Sequence, residues 1–288
     1  MTSADINLGK DIRNIINNGC RDENPRPKYK DGAPAYTYFV NHVIRSYDLS
    51  NEEFPICTLR PIAWKSAINE VMWIFQDQSN SLDLLREKYG IHIWDEWESK
   101  DIPGTIGIRY GETIRRHDLV DKLILGIKGD PYGRRHKINL WQEDDFEMSD
   151  GLMPCCYETQ WNVRGEYLDM LLNQRSGDMI TASGAGGWNE VQYMSLQMMI
   201  AKATGYKPGK FTHVIANEQI YNRHIKAAFE LLHRHDNYQK YTKTNKNETK
   251  VQLKFTPSTD NFYSFTVNDF EMIGYNPIKP QLHLDLGI

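Results

Sequence analysis

Two adjacent cysteines, Cys155 and Cys156, follow Pro154 in the segment GLMPCCYETQW. A thiol can attack an electrophile, ligate a metal or fill a core. The attacking species is the thiolate, which needs nearby positive charge to form at neutral pH. Arg175, in QRSGD, lies across an expected hairpin and is placed to supply that charge. Free cysteine is also commonly buried packing, and these residue types alone leave both readings open. Cys20, Cys57, Cys155 and Cys156 lack paired ligand spacing, so no metal site is expected.

Other residues suggest an anionic, flat ligand. Arg134 and Arg135 stand together in DPYGRRHK, and Arg175 precedes Ser176. Guanidinium forks fit phosphate oxygens, and a hydroxyl adds a donor; solvated surface arginines are the plainer alternative. Trp94 and Trp97 flank Asp95 and Glu96 in IHIWDEWESKD. That pattern suits a clasp for a heterocycle, or simply two core tryptophans. The glycines of SGAGG, residues 183–187, do not form the GxGxxG dinucleotide signature.

The elements that must carry these residues follow from periodicity. Leu8, Ile12, Ile15 and Ile16 recur at helical spacing, with Gly19 as the stop. A polar, proline-containing loop follows, and YTYFVNHVIRSYDLS reads as a strand and turn. Trp64, Ile68, Val71, Met72 and Phe75 make a helical stripe, with Glu70 off it. VDKLILGIKG reads as a shorter helix. YETQWNV and YLDMLLNQ form a hairpin through RGE. NEVQYMSLQMMIAKATGY is a helix ending at Gly205, KFTHVIAN a strand, and YNRHIKAAFELLHRH another helix; the tail alternates strands and turns. The absence of a βαβ rhythm predicts an α+β fold, a large mixed or antiparallel sheet covered by helices, in one domain over 1–288.

Bulk composition limits the partners. The 34 basic and 38 acidic residues leave a net charge of -4, which predicts no DNA and no membrane binding. No signal peptide or membrane-spanning run is visible, so a cytoplasmic protein is expected.

Taken in order, FPICTLRPIAWKSAINEVMWIF, IHIWDEWE, GTIGIRYG, DPYGRRH, MPCCYETQW, QRSGD, WNEVQY and IYNRH resemble the folate-dependent thymidylate synthase family. The likeness runs from about Arg26 to the C-terminus. It implies transfer of a one-carbon unit from 5,10-methylenetetrahydrofolate, a co-substrate, to C5 of dUMP, with no metal. Cys155 would add to C6 of the uracil ring. Arg175 would bind phosphate and support the thiolate, joined by Ser176 and Arg26. Arg134 and Arg135 would reach in from the other subunit of an obligate homodimer. Asn189 would read O4 and N3–H of the base, and Gln219 and Tyr221 would meet the ribose. Glu70 would organise waters and move protons, and Tyr110 would hold the waters that remove the C5 proton. Trp94, Trp97, Trp188, Asp178 and the C-terminal Ile288 would hold the folate.

The chain departs from the family's pattern in places. Cys156 and Gln219 stand where histidines are usual, Thr113 replaces a glutamine, and Trp188 a phenylalanine. The loop TASGAGGWN is about three residues longer than usual, and the tail ends LHLDLGI. Two alternatives therefore accompany the methylation reading. One is hydroxymethylation of dUMP, or less readily dCMP, with water in place of hydride. The other is a catalytically silent nucleotide- or RNA-binding relative.

Overall fold

The computed structural model describes residues 1–51, 53–242, 250–282, 284 and 287. The main strands are β1 (Cys20–Arg21), β2 (Thr37–Asp48), β3 (Lys137–Asn139), β4 (Cys156–Arg164), β5 (Tyr167–Gln174), β6 (Gly177–Asp178) and β7 (Lys207–Tyr221). They form one mixed sheet in the order β1-β2-β7-β5-β4-β3, with β6 beside β7. Two more strands, β8 (Gln252–Phe255) and β9 (Phe270–Ile273), form a separate antiparallel ribbon. The helices are α1 (Ser3–Asn18), α2 (Trp64–Phe75), α3 (Leu82–Tyr89), α4 (Gly111–His117), α5 (Leu119–Gly129), α6 (Glu143–Met148), α7 (Trp188–Thr204), α8 (Ile225–Asp236) and α9 (Tyr238–Tyr241). The expected α+β class, with a large mixed sheet and helices, is what the chain adopts.

The β4–β5 hairpin turns at Gly165, whose φ of 61° suits the tight connection. The pairing carries Cys156 opposite Gln174, so Cys155 and Arg175 emerge side by side at the open end. β5 and β7 run parallel, and α7 is the crossover between them. The chain therefore passes from Arg175 through a loop into α7 and back to the sheet beside β5. That crossover brings Asn189, at the second position of α7, over the end of β5.

Helices α1 and α7 lie on one sheet face, where Tyr47, Leu172, Phe211 and Ile215 are buried. On the other face Ile44 pairs with Val214, near Leu171, and Ile44 is 65% exposed. The α2 stripe forms as expected, but the helix is buried on nearly every side because it packs on α7 and α4. Glu70, off the apolar stripe, is consequently buried too.

One expected boundary is wrong. The helix read from Tyr221 begins at Ile225, and the strand before it spans Lys207 to Tyr221 rather than ending at Asn217. Antiparallel pairing with β2, Thr37 opposite Tyr221, holds the last residues extended. A short 3-10 turn, Asn222–His224, then leads into α8. Local apolar periodicity lost to strand pairing, which gives the backbone groups of this stretch partners on β2.

Candidate active site

Cys155 sits just before β4, partly exposed at the mouth of a cleft. A register shift between Cys156 and Glu158 bends the strand there, the effect a bulge has on side-chain aim. Arg175 is tied to this turn several ways. Its Nε donates to the Pro154 carbonyl at 3.0 Å and its Nη2 to the Met153 carbonyl at 2.8 Å. Nη2 also lies 3.6 Å from Cys155 Sγ. Burial raises the Cys155 pKa, while the Arg175 and Arg26 charges pull it down.

Across the cleft, α2 supplies Glu70. Its Oε2 accepts from the Trp188 indole N–H at 2.9 Å. Burial pushes this carboxyl up to about 7, against hydrogen bonding from Gln192, Trp94 and Trp188. The Trp94 N–H contributes from outside strict hydrogen-bond geometry, and it is buried with no other partner among the described residues. A carboxyl poised near 7 can both give and accept a proton at neutral pH.

Tyr110 closes the far wall. Its hydroxyl accepts from the Cys155 backbone N–H at 3.3 Å. Burial, then the nearby Cys155, raises its pKa. Its φ of 48° is unusual for a non-glycine residue and costs on the order of 1–3 kcal/mol. The ring is wedged edge-on against Trp94 at 5.1 Å, and Trp94 meets Trp97 at 5.7 Å. These contacts hold a conformation that the backbone alone disfavours.

Asn189 enters from the start of α7. Its Oδ1 accepts from Ser183 Oγ at 2.9 Å, and its Nδ2 donates to Gln192 Oε1 at 3.0 Å. Gln174, Ser183 and Gln192 escaped the sequence reading. Gln192 was discoverable, because it follows Asn189 by one helical turn and shares its face. Ser183 was not, since its approach depends on the loop's path.

Below this group lies a buried ionic cluster. Arg45 donates to Asp11 at 2.7 Å, to Glu190 at 3.1 Å and to Glu218. His213 Nδ1 faces Glu190 at 3.0 Å. Burial acts to raise the Glu190 pKa, but Arg45 and His213 bring it below the ordinary value. Glu218 is pushed up to about 7 by burial, which Arg45 only partly offsets.

The remaining candidates border the cleft. The amide of Gln219 fits its neighbours with its oxygen 3.1 Å from Ser176 Oγ and its nitrogen 2.8 Å from Asn217 Oδ1. Tyr221 is buried at the end of β7, and the backbone of Gly287 packs so closely on its ring that a Cβ there would lie 2.8 Å from it. Asp178, at the end of β6, accepts from the Thr181 N–H at 3.3 Å. Arg26 is exposed. Arg134 and Arg135 are exposed in the α5–β3 turn and make no hydrogen bond or ion pair among the described residues. Ile288 lies outside the described residues. Among the described residues, no three His, Cys, Asp or Glu side chains gather around a point where a metal could bind.

The cleft thus unites Cys155, Cys156, Glu70, Trp94, Tyr110 and Asn189. The sequence model described as Thymidylate synthase matches residues 8–287. The chain belongs to the thymidylate synthase family. It is 46% identical to a thymidylate synthase of Streptococcus pneumoniae (strain 70585), over 100% of both chains. It is 45% identical to that of Streptococcus sanguinis (strain SK36), again over 100% of both. The solved structure of thermostable thymidylate synthase A from Bacillus subtilis superposes with a TM-score of 0.85 at 34% identity, covering 99% of each chain. Four of the sequence departures noted above fall in two places. Cys156, Trp188 and Gln219 lie in or beside the cleft, and the longer loop carries Ser183.

Proposed function

We infer that this chain methylates C5 of dUMP, using 5,10-methylenetetrahydrofolate and yielding dTMP and dihydrofolate. One observation carries the reading: a thiol beside a guanidinium, Cys155 and Arg175 at 3.6 Å, shares a cleft with a carboxyl poised near 7, Glu70, and an amide, Asn189. Hydroxymethylation and a silent binding role are not favoured, because relatives matched over the whole chain are named thymidylate synthases.

The residues divide the work as follows. Cys155, as thiolate, adds to C6, and the ring's electron pair moves through C5 toward O4. An N–H of Asn189 meets the charge growing on O4. C5 is then nucleophilic and bonds to the one-carbon unit. Glu70 and Tyr110 hold the water that takes the C5 proton, and later loss of the Cys155 thiolate restores the ring. Arg175, Ser176 and Arg26 bind the phosphate, and Gln219 and Tyr221 the sugar.

Folate supplies the one-carbon unit and then the hydride that reduces it to methyl. The cleft suits its flat ring. Trp94, Trp97 and Tyr110 form an aromatic wall, and the buried Trp94 N–H has no strict partner of its own. Asp178 and Trp188 complete that side, and a role in holding the folate is assigned to Ile288 from the family resemblance alone. Burial holds the free Cys155 thiol high, so more positive charge is needed to ionise it. Arg134 and Arg135 of a second copy would provide it. The exposed sheet face around Ile44, Leu171 and Val214 is the surface we assign to that homodimer. We read residues 1–288 as a single catalytic domain acting in the cytoplasm. No described helix is long and apolar enough to cross a membrane.

The test is incubation with dUMP and 5,10-methylenetetrahydrofolate, following dihydrofolate absorbance and product mass. Absorbance growth with a methyl-group mass gain is expected. A product heavier by one further oxygen, or no dihydrofolate, would overturn methylation. Mixing Cys155→Ala and Arg135→Ala chains tests the shared site. Random pairing should restore about a quarter of wild-type activity, and no recovery in verified mixed dimers would refute the crossed arginines.

A further inference from the structure

The Asn189 amide is not free to turn. Ser183 Oγ has a single hydrogen, and it goes to Asn189 Oδ1 at 2.9 Å. Upstream, Gln174 Nε2 donates to Ser183 Oγ at 2.7 Å, so the Ser183 hydrogen must point elsewhere. Gln174 is itself oriented. Its Nε2 also donates to the Ser176 carbonyl at 2.9 Å, which can only accept. Its Oε1 faces His213 Nε2 at 2.8 Å.

His213 is pinned in turn by Glu190 at Nδ1, and Glu190 by Arg45 and by the Gly186 N–H at 2.6 Å. Arg45 also donates to the Ser183 carbonyl at 2.9 Å. The buried cluster thus grips Ser183 by its backbone and, through Gln174, by its hydroxyl. The hydrogen bonds from Gln174 to Ser183 and from Ser183 to Asn189 point the same way.

At the end of this chain the amide nitrogen of Asn189 has two hydrogens. Gln192 takes one at 3.0 Å. The other remains for the cleft that Asn189 lines.

We propose that Ser183 is a specificity-determining positioning residue: it locks the Asn189 amide with an N–H turned to the pyrimidine, so that the site selects a 4-oxo over a 4-amino base. The inference rests on the dUMP reading above. A 4-oxo group accepts that hydrogen, whereas a 4-amino group presents another hydrogen against it. A buried polar group left without a partner discriminates strongly between close analogues. Without the Ser183 hydroxyl the Asn189 oxygen keeps only the longer 3.4 Å contact from Gln174 Nε2, so the amide turns more readily to present its oxygen to an amino group.

The test is the ratio of Kd values for dUMP and dCMP, measured by calorimetry on wild type, Ser183→Ala and Ser183→Thr. Ser183→Ala should weaken dUMP and lower the preference for dUMP by about tenfold or more, and Ser183→Thr should restore it. An unchanged ratio in folded Ser183→Ala overturns the proposal. So does an equal loss for both nucleotides, the mark of a merely structural role. Should Ser183→Ala fail to fold, Gln174→Met cuts the same chain one link earlier and is judged by the same ratio. Because binding is read without turnover, a wild type that prefers dUMP yet makes no dTMP would refute the proposed function and leave this inference standing.

Discussion

The indole N–H of Trp188 donates to the carboxyl of Glu70, 2.9 Å away, joining the first residue of α7 to the middle of α2. It stabilises the charged form of a group that burial pushes toward neutrality. Trp188→Phe keeps the aromatic ring and removes this donor. A hydrogen bond to a charged group is worth ~1.5–3 kcal/mol, so the Glu70 pKa should rise by at least about one unit. Activity that needs ionised Glu70 falls as pH drops through that value. The acid limb of the kcat profile should therefore move to higher pH by at least about one unit. A limb that stays in place would show that Glu70 is not the titrating group.

Cys155 and its neighbour Cys156 should behave unequally. Cys155→Ala is expected to reduce kcat by at least ~10³-fold, as loss of a nucleophile does. dUMP binding should survive, because the phosphate ligands are untouched. Cys156→Ala, which removes a buried thiol outside the proposed bond-making step, should retain measurable turnover. Comparable kcat in wild type and Cys155→Ala would end the covalent assignment.

Gly186 has a φ of 65°, and a Cβ added there would lie 2.4 Å from the Cys57 nitrogen and 2.6 Å from the Ala4 Cβ. Its carbonyl accepts from the Cys57 N–H at 3.0 Å, so the loop before α7 cannot readily back away. Gly186→Ala should cost about 2–4 kcal/mol, adding left-handed strain to overpacking. Urea unfolding measures this. A midpoint matching wild type would mean the loop yields far more easily than its contacts indicate.

Glu218 links stability to pH. Its folded pKa of about 7 lies above the ordinary 4.5. Between those values the native state keeps a proton that the unfolded chain has released, so stability falls as pH rises through the window. Glu218→Gln keeps the acceptor for Arg45 and cannot ionise. Relative to wild type, the variant should gain on the order of 2 kcal/mol between about pH 5 and about pH 8. Parallel stability curves would place the titration elsewhere.

The sequence exposed those parts of the site that lie on local structure. Cys155 and Arg175 meet because a hairpin turning at Gly165 returns one to the other, and hairpins are written in short-range pattern. The Ser183–Asn189 contact was not legible. It needs the parallel β5–β7 crossover and a loop whose path is set by Cys57 and Ala4, both distant in sequence. Glu70 was readable as a polar residue beside an apolar stripe, but not as a buried one, because its cover comes from α7. Tyr221 reads as helical from local pattern for a related reason: its partner strand lies near the other end of the chain.

The cluster of Arg45, Asp11, Glu190 and His213 also bears on how such a chain can change over generations. Removing one partner of a buried ion pair costs about 3–5 kcal/mol, whereas replacing the whole group by apolar residues can be neutral or better. Single steps away from it cross a barrier comparable to much of a domain's stability. These positions should therefore be inherited as a block, lost together or kept together. Homologous chains holding only half of the set should be rare, and those that do should carry a compensating charge nearby.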